Sequence, residues 1–332
     1  TQVVPQTVYA LIRARLARLS EASRQVLNAA SVVGREFDIE IIARTAALSD
    51  AAVLNSLDEL QAVGLIQPLT GLRYRFDHQL TLEVAYQEMG EPRHRLLHRR
   101  VAEALEVLHR NRVATVAGLL AHHFAEGHLP EQVAHYAFLA GEQAAQLAAW
   151  REAIAFYEQA ATAAALFTDQ SQHQVILAAL GRAALQAGQN GRAADVLQLA
   201  ISLKARSTRP VNEELLYVDL IEALMLGTRY AELLALVEAM NGRAHPATAS
   251  FVEYSRGLAL AQMGGDGAVA VRHLQKAAAL LSQPRAPETV GQGAVTLGDI
   301  HFELGNLAAR RGDLATAIEN FRAAFTISQA MS

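Results

Sequence analysis

Three short stretches of this 332-residue chain hold side chains whose types and spacing could do chemistry. In RYRFDHQL, residues 73–80, alternating aromatic and basic residues end in Asp77-His78, just before a helical pattern begins. An imidazole there can donate to a phosphate, or it can pack against or cap the helix that follows. EPRHRLLHRRVAEALEVLHRNR, residues 91–112, is the one basic stretch. Its Arg93, His94, Arg95, His98, Arg99 and Arg100 could hold phosphate or nucleic acid. They read equally as the solvated face of a connector helix, with Leu96, Leu97, Val101, Leu105 and Leu108 buried. His94 and His98 have the i, i+4 spacing that suits a metal, but no glutamate lies between them and no third ligand is evident. His122, His123 and His128 in AHHFAEGH raise the same question, and helix packing is their expected role. No metal site is expected from either group.

Other chemistries are excluded by residue type. The chain has no cysteine, so disulfides, thiolate zinc sites and thiol catalysis are absent. Its two lysines, Lys204 and Lys276, follow Leu203 and Gln275, whereas a P-loop needs Gly-Lys-Ser/Thr. No Gly-x-Ser-x-Gly or Ser-His-Asp arrangement is found. The chain is expected to be non-enzymatic, with no cofactor of its own.

The elements that would position these residues follow from pattern. Hydrophobic residues make up 52% and charged residues 19%, a globular balance. No apolar run reaches the roughly 20 residues of a membrane span, and no signal-peptide pattern opens the sequence, so a cytoplasmic protein is expected. The net charge is −4, which gives no general attraction to nucleic acid.

Residues 1–90 read as a winged helix. Val8, Ile12, Leu16 and Leu19 recur at helical spacing; Ser20 can cap a second helix that stops at Gly34. IEIIARTAAL and AAVLNSLDELQAVGLI follow, the latter with Val53, Leu57, Leu60 and Val63 on one face. Two short strands then flank Thr70-Gly71. A DNA-reading helix needs basic or polar groups toward the bases. The candidate, Ala51 to Ala62, offers Asn55, Asp58, Glu59 and Gln61 and no Lys or Arg, which disfavours DNA for this segment.

Residues 91–130 read as connector helices, and residues 131–332 as degenerate helical repeats. Each repeat has a small residue in its first helix, a turn, then Ala-x3-large-x2-Ala in its second. LGNLAARRGDLATAIENFRAAF is the clearest copy, with Gly305, a turn at Gly312-Asp313, then Ala317, Phe321 and Ala324. Others pair Gly141 with Ala153, Tyr157 and Ala160, and Gly181 with an Asn190-Gly191 turn, Ala193, Leu197 and Ala200. Weaker copies are anchored at Asp219/Ala231 and Gly257/Ala270. Antiparallel helices approach closely only where side chains are short, and the pattern resembles the tetratricopeptide repeat. The predicted fold is all-α in the main: a winged helix with one small β-hairpin, then a tetratricopeptide-like α-solenoid. Its concave, first-helix face should carry Phe138, Glu142, Arg182, Tyr254, Gln262, Phe302, Asn306 and Arg310. That mixture suits a protein, peptide or small-molecule partner; packing against the chain's own next helix is the alternative for each residue.

With winged helix, connector and repeats in that order, the chain resembles the C-terminal part of a STAND-class signalling ATPase. The class includes LuxR-type maltotriose-responsive activators and cyclase-associated ATPases. The resemblance is carried by VYALIRARLARLSEASRQVLNAASVVGREF, LDELQAVGLI, YRFDHQLTLEVAYQEM, RLLHRRVAEALE and LLAHHFAEG, and it runs through essentially the whole chain. It implies an NTPase domain upstream, with ADP or ATP bound there. It also implies that His78, matching the histidine after the winged-helix hairpin, touches the nucleotide phosphates; a helix cap remains the other reading. TQVVPQTV resembles the linker after the NTPase module, so an excised fragment is expected. The implied role is a regulatory and sensor region in which an effector on the solenoid biases closed and open forms. Moving such an equilibrium from 1:99 to 99:1 takes about 5.5 kcal/mol of differential affinity. The competing expectations are a free-standing protein-interaction scaffold and, more weakly, a winged-helix DNA regulator.

Overall fold

The computed structural model describes residues 6–208, 211–240, 248–282 and 295–331. The chain divides into two compact units, Thr1–Leu166 and Phe167–Ser332. Both are built mainly from helices, with one small sheet in the first and tetratricopeptide-like hairpins completing the second.

The first unit opens with α1 (Gln6–Leu16), α2 (Glu21–Val33), β1 (Glu36–Asp38), α3 (Ile39–Ala46), α4 (Asp50–Ala62), β2 (Ile66–Pro68) and β3 (Arg73–Phe76). Its helix starts are written in the sequence. Ser20, Asp38 and Ser49 each accept a hydrogen bond from a backbone N–H in the first turn of α2, α3 and α4. The Glu59 carboxylate on α4 accepts from the Ser20 N–H and from the Ser20 and Ser23 hydroxyls, at 2.9, 2.7 and 2.6 Å, so it ties α4 to the start of α2. At the other end of α2, Gly34 sits at φ 128°, a backbone conformation open to glycine.

The expected hairpin gains a third strand. The sheet order is β1-β3-β2, both pairs antiparallel, with Phe37 opposite Tyr74 and Ile66 opposite Phe76. Phe37 stacks on Tyr74 and meets Phe76 edge-on, with ring centroids 6.1 and 5.7 Å apart. These aromatic contacts recruit the three-residue β1 to the sheet.

The first unit continues through α5 (Gln79–Gln87), α6 (Glu91–Leu108), a 3₁₀ segment (Arg110–Val116), α7 (Ala117–Glu126), α8 (Pro130–Gln146) and α9 (Trp150–Ala164). Leu97, Val101 and Leu105 of α6 are buried as expected, whereas Leu96 is exposed and His98 is buried. The face turned inward therefore includes a histidine that the run of arginines made look solvated.

The second unit comprises α10 (Ser171–Gln186), α11 (Asn190–Ser202), a 3₁₀ turn (Leu203–Arg206), α12 (Glu213–Leu226), α13 (Tyr230–Ala239), α14 (Ala249–Gln262), α15 (Gly267–Leu281), α16 (Leu297–Arg310) and α17 (Leu314–Met331). The small residues sit where the helices cross. A Cβ built on Gly181 would lie 2.5 Å from Leu197, and on Gly257 and Gly305 it would lie 2.8 and 2.7 Å from Leu274 and Phe321. In the first unit Gly141 of α8 meets Tyr157 of α9 in the same way, at 2.6 Å.

Two details of the repeat differ from the sequence expectation. Asn190-Gly191 begins α11, and the left-handed residue of that turn is Gly188. In the α12/α13 pair, counting from the helix ends puts Ile221 and Val237 at the close crossing, each fully buried, in place of the Asp219/Ala231 anchor. The turn between them uses Thr228 in the left-handed region where the other hairpins of this unit use Gly188, Gly264 and Gly312, so the glycine landmark is missing.

Candidate functional site

The sheet of the first unit positions His78. Phe76 is buried, and the Asp77 N–H donates to the Leu65 carbonyl at 3.1 Å, which fixes the passage from β3 into α5. His78 occupies the position just before α5, with extended backbone at φ −130° and ψ 142°. Its carbonyl accepts from the Thr81 N–H at 3.0 Å, yet its side chain makes no capping hydrogen bond. The imidazole instead stands 78% exposed, with Nε2 3.2 Å from the Asp77 carboxylate. Asp77 also accepts from the Gln67 side chain on β2. His78 thus starts a helix without capping it, and a polar chain from the sheet orients the ring at the surface.

The residues expected on the first-helix face are divided between the two units. In the first unit, Phe138 lies against Tyr157, with ring centroids 5.6 Å apart, and Glu142 accepts from the Tyr157 hydroxyl at 2.6 Å. Both side chains therefore touch α9. In the second unit, Tyr254 is buried in a cluster with Leu258, Leu274, Ile300 and Leu307. Burial pushes its phenol upward. Asn306 is half-buried and hydrogen-bonded to Glu303, whose carboxyl is raised by burial. Arg310 reaches from α16 to α14, donating to the Ala261 carbonyl at 2.9 Å and the Gln262 side chain at 3.3 Å. Phe302 is exposed and, with Phe321 and Phe325, lines an open depression of about 660 Å³.

Arg182 reaches across to a group that sequence reading used only as a spacing mark. Its Nε lies 3.6 Å from the Asp219 carboxylate on α12 and donates to the Ala178 carbonyl at 3.3 Å. Asp219 is 1% exposed, and neither of its oxygens has a hydrogen-bond partner among the described residues. Burial lifts its carboxyl to about 6 although Arg182 opposes the shift. An acid set between Val218 and Leu220 in the largely apolar run LLYVDLI is the signal the sequence offers. A second space, of about 490 Å³, opens between α12, α13 and the start of α14, lined by Tyr217, Val218, Ile221, Leu236, Met240 and Val252. None of the predicted binding residues borders it.

No family model matches this chain, and no curated protein matches it. Among solved structures it is similar to a MamA fragment from Desulfovibrio magneticus, at 21% identity and a TM-score of 0.43, over 59% of this chain and 96% of that one. It is similar to the apo form of RapI at 9% identity and a TM-score of 0.44, over 88% and 85% of the two chains. A STAND protein with a tetratricopeptide repeat sensor from Pyrococcus horikoshii aligns with 98% of this chain and 53% of its own, at 15% identity and a TM-score of 0.39. Scores this low leave the functional reading to the residues themselves.

Proposed function

We propose that this chain is a non-catalytic regulatory and sensor region of a STAND-type signalling ATPase. The repeat hairpins bind a protein, peptide or small-molecule effector, and the N-terminal helices and sheet, acting as a winged helix, meet an NTPase domain. The observation that carries this reading is His78: an imidazole oriented from the sheet, left exposed at the start of a helix it does not cap. Such a ring makes no capping hydrogen bond and has a polar contact only with the neighbouring Asp77 among the described residues, and a phosphate is a partner its chemistry suits.

The effector side rests on the first helices of the second unit. Arg182, Phe302 and the Arg310–Gln262 contact offer charged, aromatic and amide groups on the first helices of this unit. An effector that contacts them differently in the two states of the whole protein would bias its nucleotide switch. A cytoplasmic setting goes with that role.

The test uses the protein encoded with the roughly 300 residues upstream of Thr1, the size of about two domains. It is purified without nucleotide, denatured, and the supernatant is assayed for adenine nucleotide. Stoichiometric ADP, lost in His78→Ala, is the expected result. Empty protein would overturn the nucleotide switch and leave the free-standing scaffold; ADP retained fully by His78→Ala would remove His78 from the site.

A further inference from the structure

We propose that His98, His122 and His123 form a three-nitrogen site for a divalent transition metal, Zn²⁺ above all, between α6 and α7. By spacing along the chain His98 goes with His94, and His122 and His123 go with His128. The fold pairs them differently. One ring nitrogen from each of His98, His122 and His123 lies within 4.8 Å of the other two. The ring centroids are 5.1 Å apart for His98 and His123, 5.2 Å for His122 and His123, and 5.9 Å for His98 and His122.

His98 and His123 are each 2% exposed, and their Nδ1 atoms are 2.9 Å apart. A Zn–N bond of about 2.0–2.1 Å places two nitrogens of a tetrahedral site about 3.3 Å apart, so the close pair need open only by a few tenths of an ångström. His122 is exposed and can swing its ring inward from the surface. The second nitrogen of His98 already has an outer partner: Nε2 is 3.0 Å from the Tyr86 hydroxyl. Ligating histidines almost always have such a partner, which fixes the ring and the tautomer. Tyr86 is itself held by His94, whose ring stacks on it at 4.2 Å.

The donor set selects the ion. Three imidazoles without a carboxylate or thiolate suit Zn²⁺ or a neighbouring first-row ion and not the oxygen-seeking Ca²⁺ or Mg²⁺. Water completes the fourth position on the side of exposed His122. A bound ion would join α6 to α7 in place of the Nδ1···Nδ1 hydrogen bond that the two buried rings now share.

The test uses the whole chain, freed of any histidine tag and treated with chelator. Zn²⁺ is titrated calorimetrically, and Co²⁺ is added as a visible probe of four-coordinate geometry. One equivalent of Zn²⁺ should bind, raise the melting temperature and give the intense absorption of tetrahedral Co²⁺. His122→Ala removes an exposed ligand with little risk to folding, and it should weaken Zn²⁺ at least tenfold. His128→Ala, an exposed histidine outside the cluster, should leave affinity unchanged. No stoichiometric Zn²⁺ binding by the parent, or binding that survives His122→Ala undiminished, would overturn the site.

Discussion

Gly181 of α10 and Leu197 of α11 approach so closely that a Cβ on the glycine would lie 2.5 Å from the leucine side chain. Leu197 is fully buried, so the leucine has no room to retreat. In an isolated helix, Gly→Ala would stabilise by roughly 1 kcal/mol. Here Gly181→Ala should instead destabilise by about 1–3 kcal/mol, the usual consequence of overpacking. Adding Leu197→Ala should cost less in the Gly181→Ala background than alone, because the alanine methyl fills part of the space. Urea denaturation of the four proteins decides it; a neutral or stabilising Gly181→Ala would show that the helices do not need the close approach.

Asp219 predicts a pH dependence of opposite sign to that of an ordinary paired carboxylate. Its folded pKa is raised to about 6 by burial, with Arg182 on α10 opposing and Glu222 on its own helix reinforcing the shift. Between the unfolded value near 4 and about pH 6, the folded state holds more protons, so stability falls as pH rises through that window. Above it the full cost of a buried charge remains, roughly 3 kcal/mol for a carboxyl raised from near 4 to about 6. Asp219→Asn should therefore raise the melting temperature more at pH 7.5 than at pH 4.5. An equal effect at both would place the carboxylate in contact with solvent.

The close helix crossings were legible because a glycine facing a large residue one helix later is a local pattern at fixed spacing. Gly141, Gly181, Gly257 and Gly305 all fall at the crossings for that reason. The α12/α13 pair was not legible. Its first helix, rich in apolar residues, shows no single apolar face, and Thr228 takes the turn conformation that Gly188, Gly264 and Gly312 take in the other hairpins of this unit, so nothing marks the register. Likewise β1 is too short to show alternation, and only its partner β3, far along the chain, makes it a strand. The burial of His98 was hidden by five neighbouring arginines and histidines. Its contact with His123 joins residues 25 positions apart, a distance at which spacing carries no information.

The same first unit makes a prediction about nucleic acid. The exposed side of α4 carries Asp50 and Asp58 and no basic residue, and Glu59 is engaged with Ser20 and Ser23. On the sheet, Arg73 pairs with Glu36 and Arg75 donates to Gln67. With so little free positive charge on α4 and the sheet, the elements of a DNA-reading winged helix, fluorescently labelled duplex DNA should show no binding that weakens with salt. A binding constant falling steeply between about 50 and 200 mM salt, as several phosphate contacts would give, would revive the DNA reading.

Glu253 is the charged centre of the second unit, and its neighbours should differ sharply in what they contribute. The carboxylate is 8% exposed on α14 and binds His273 at 2.7 Å and Lys276 at 2.8 Å, with Arg256 4.0 Å away. Its carboxyl is lowered: burial acts against this, and hydrogen bonds from Lys276 and His273 outweigh it. Arg256 is largely buried and also donates to the Val237 carbonyl of α13 at 2.7 Å, so three helices meet at this network. Removing Glu253 leaves that guanidinium without its counter-charge, and Glu253→Ala should cost about 2–4 kcal/mol. Lys276 is 62% exposed, and water replaces most of what its ammonium supplies. Lys276→Ala should then cost at most about 1 kcal/mol. Equilibrium denaturation of both variants measures the contrast. Equal losses would mean that the exposed lysine, and not the buried arginine, is the partner on which Glu253 depends.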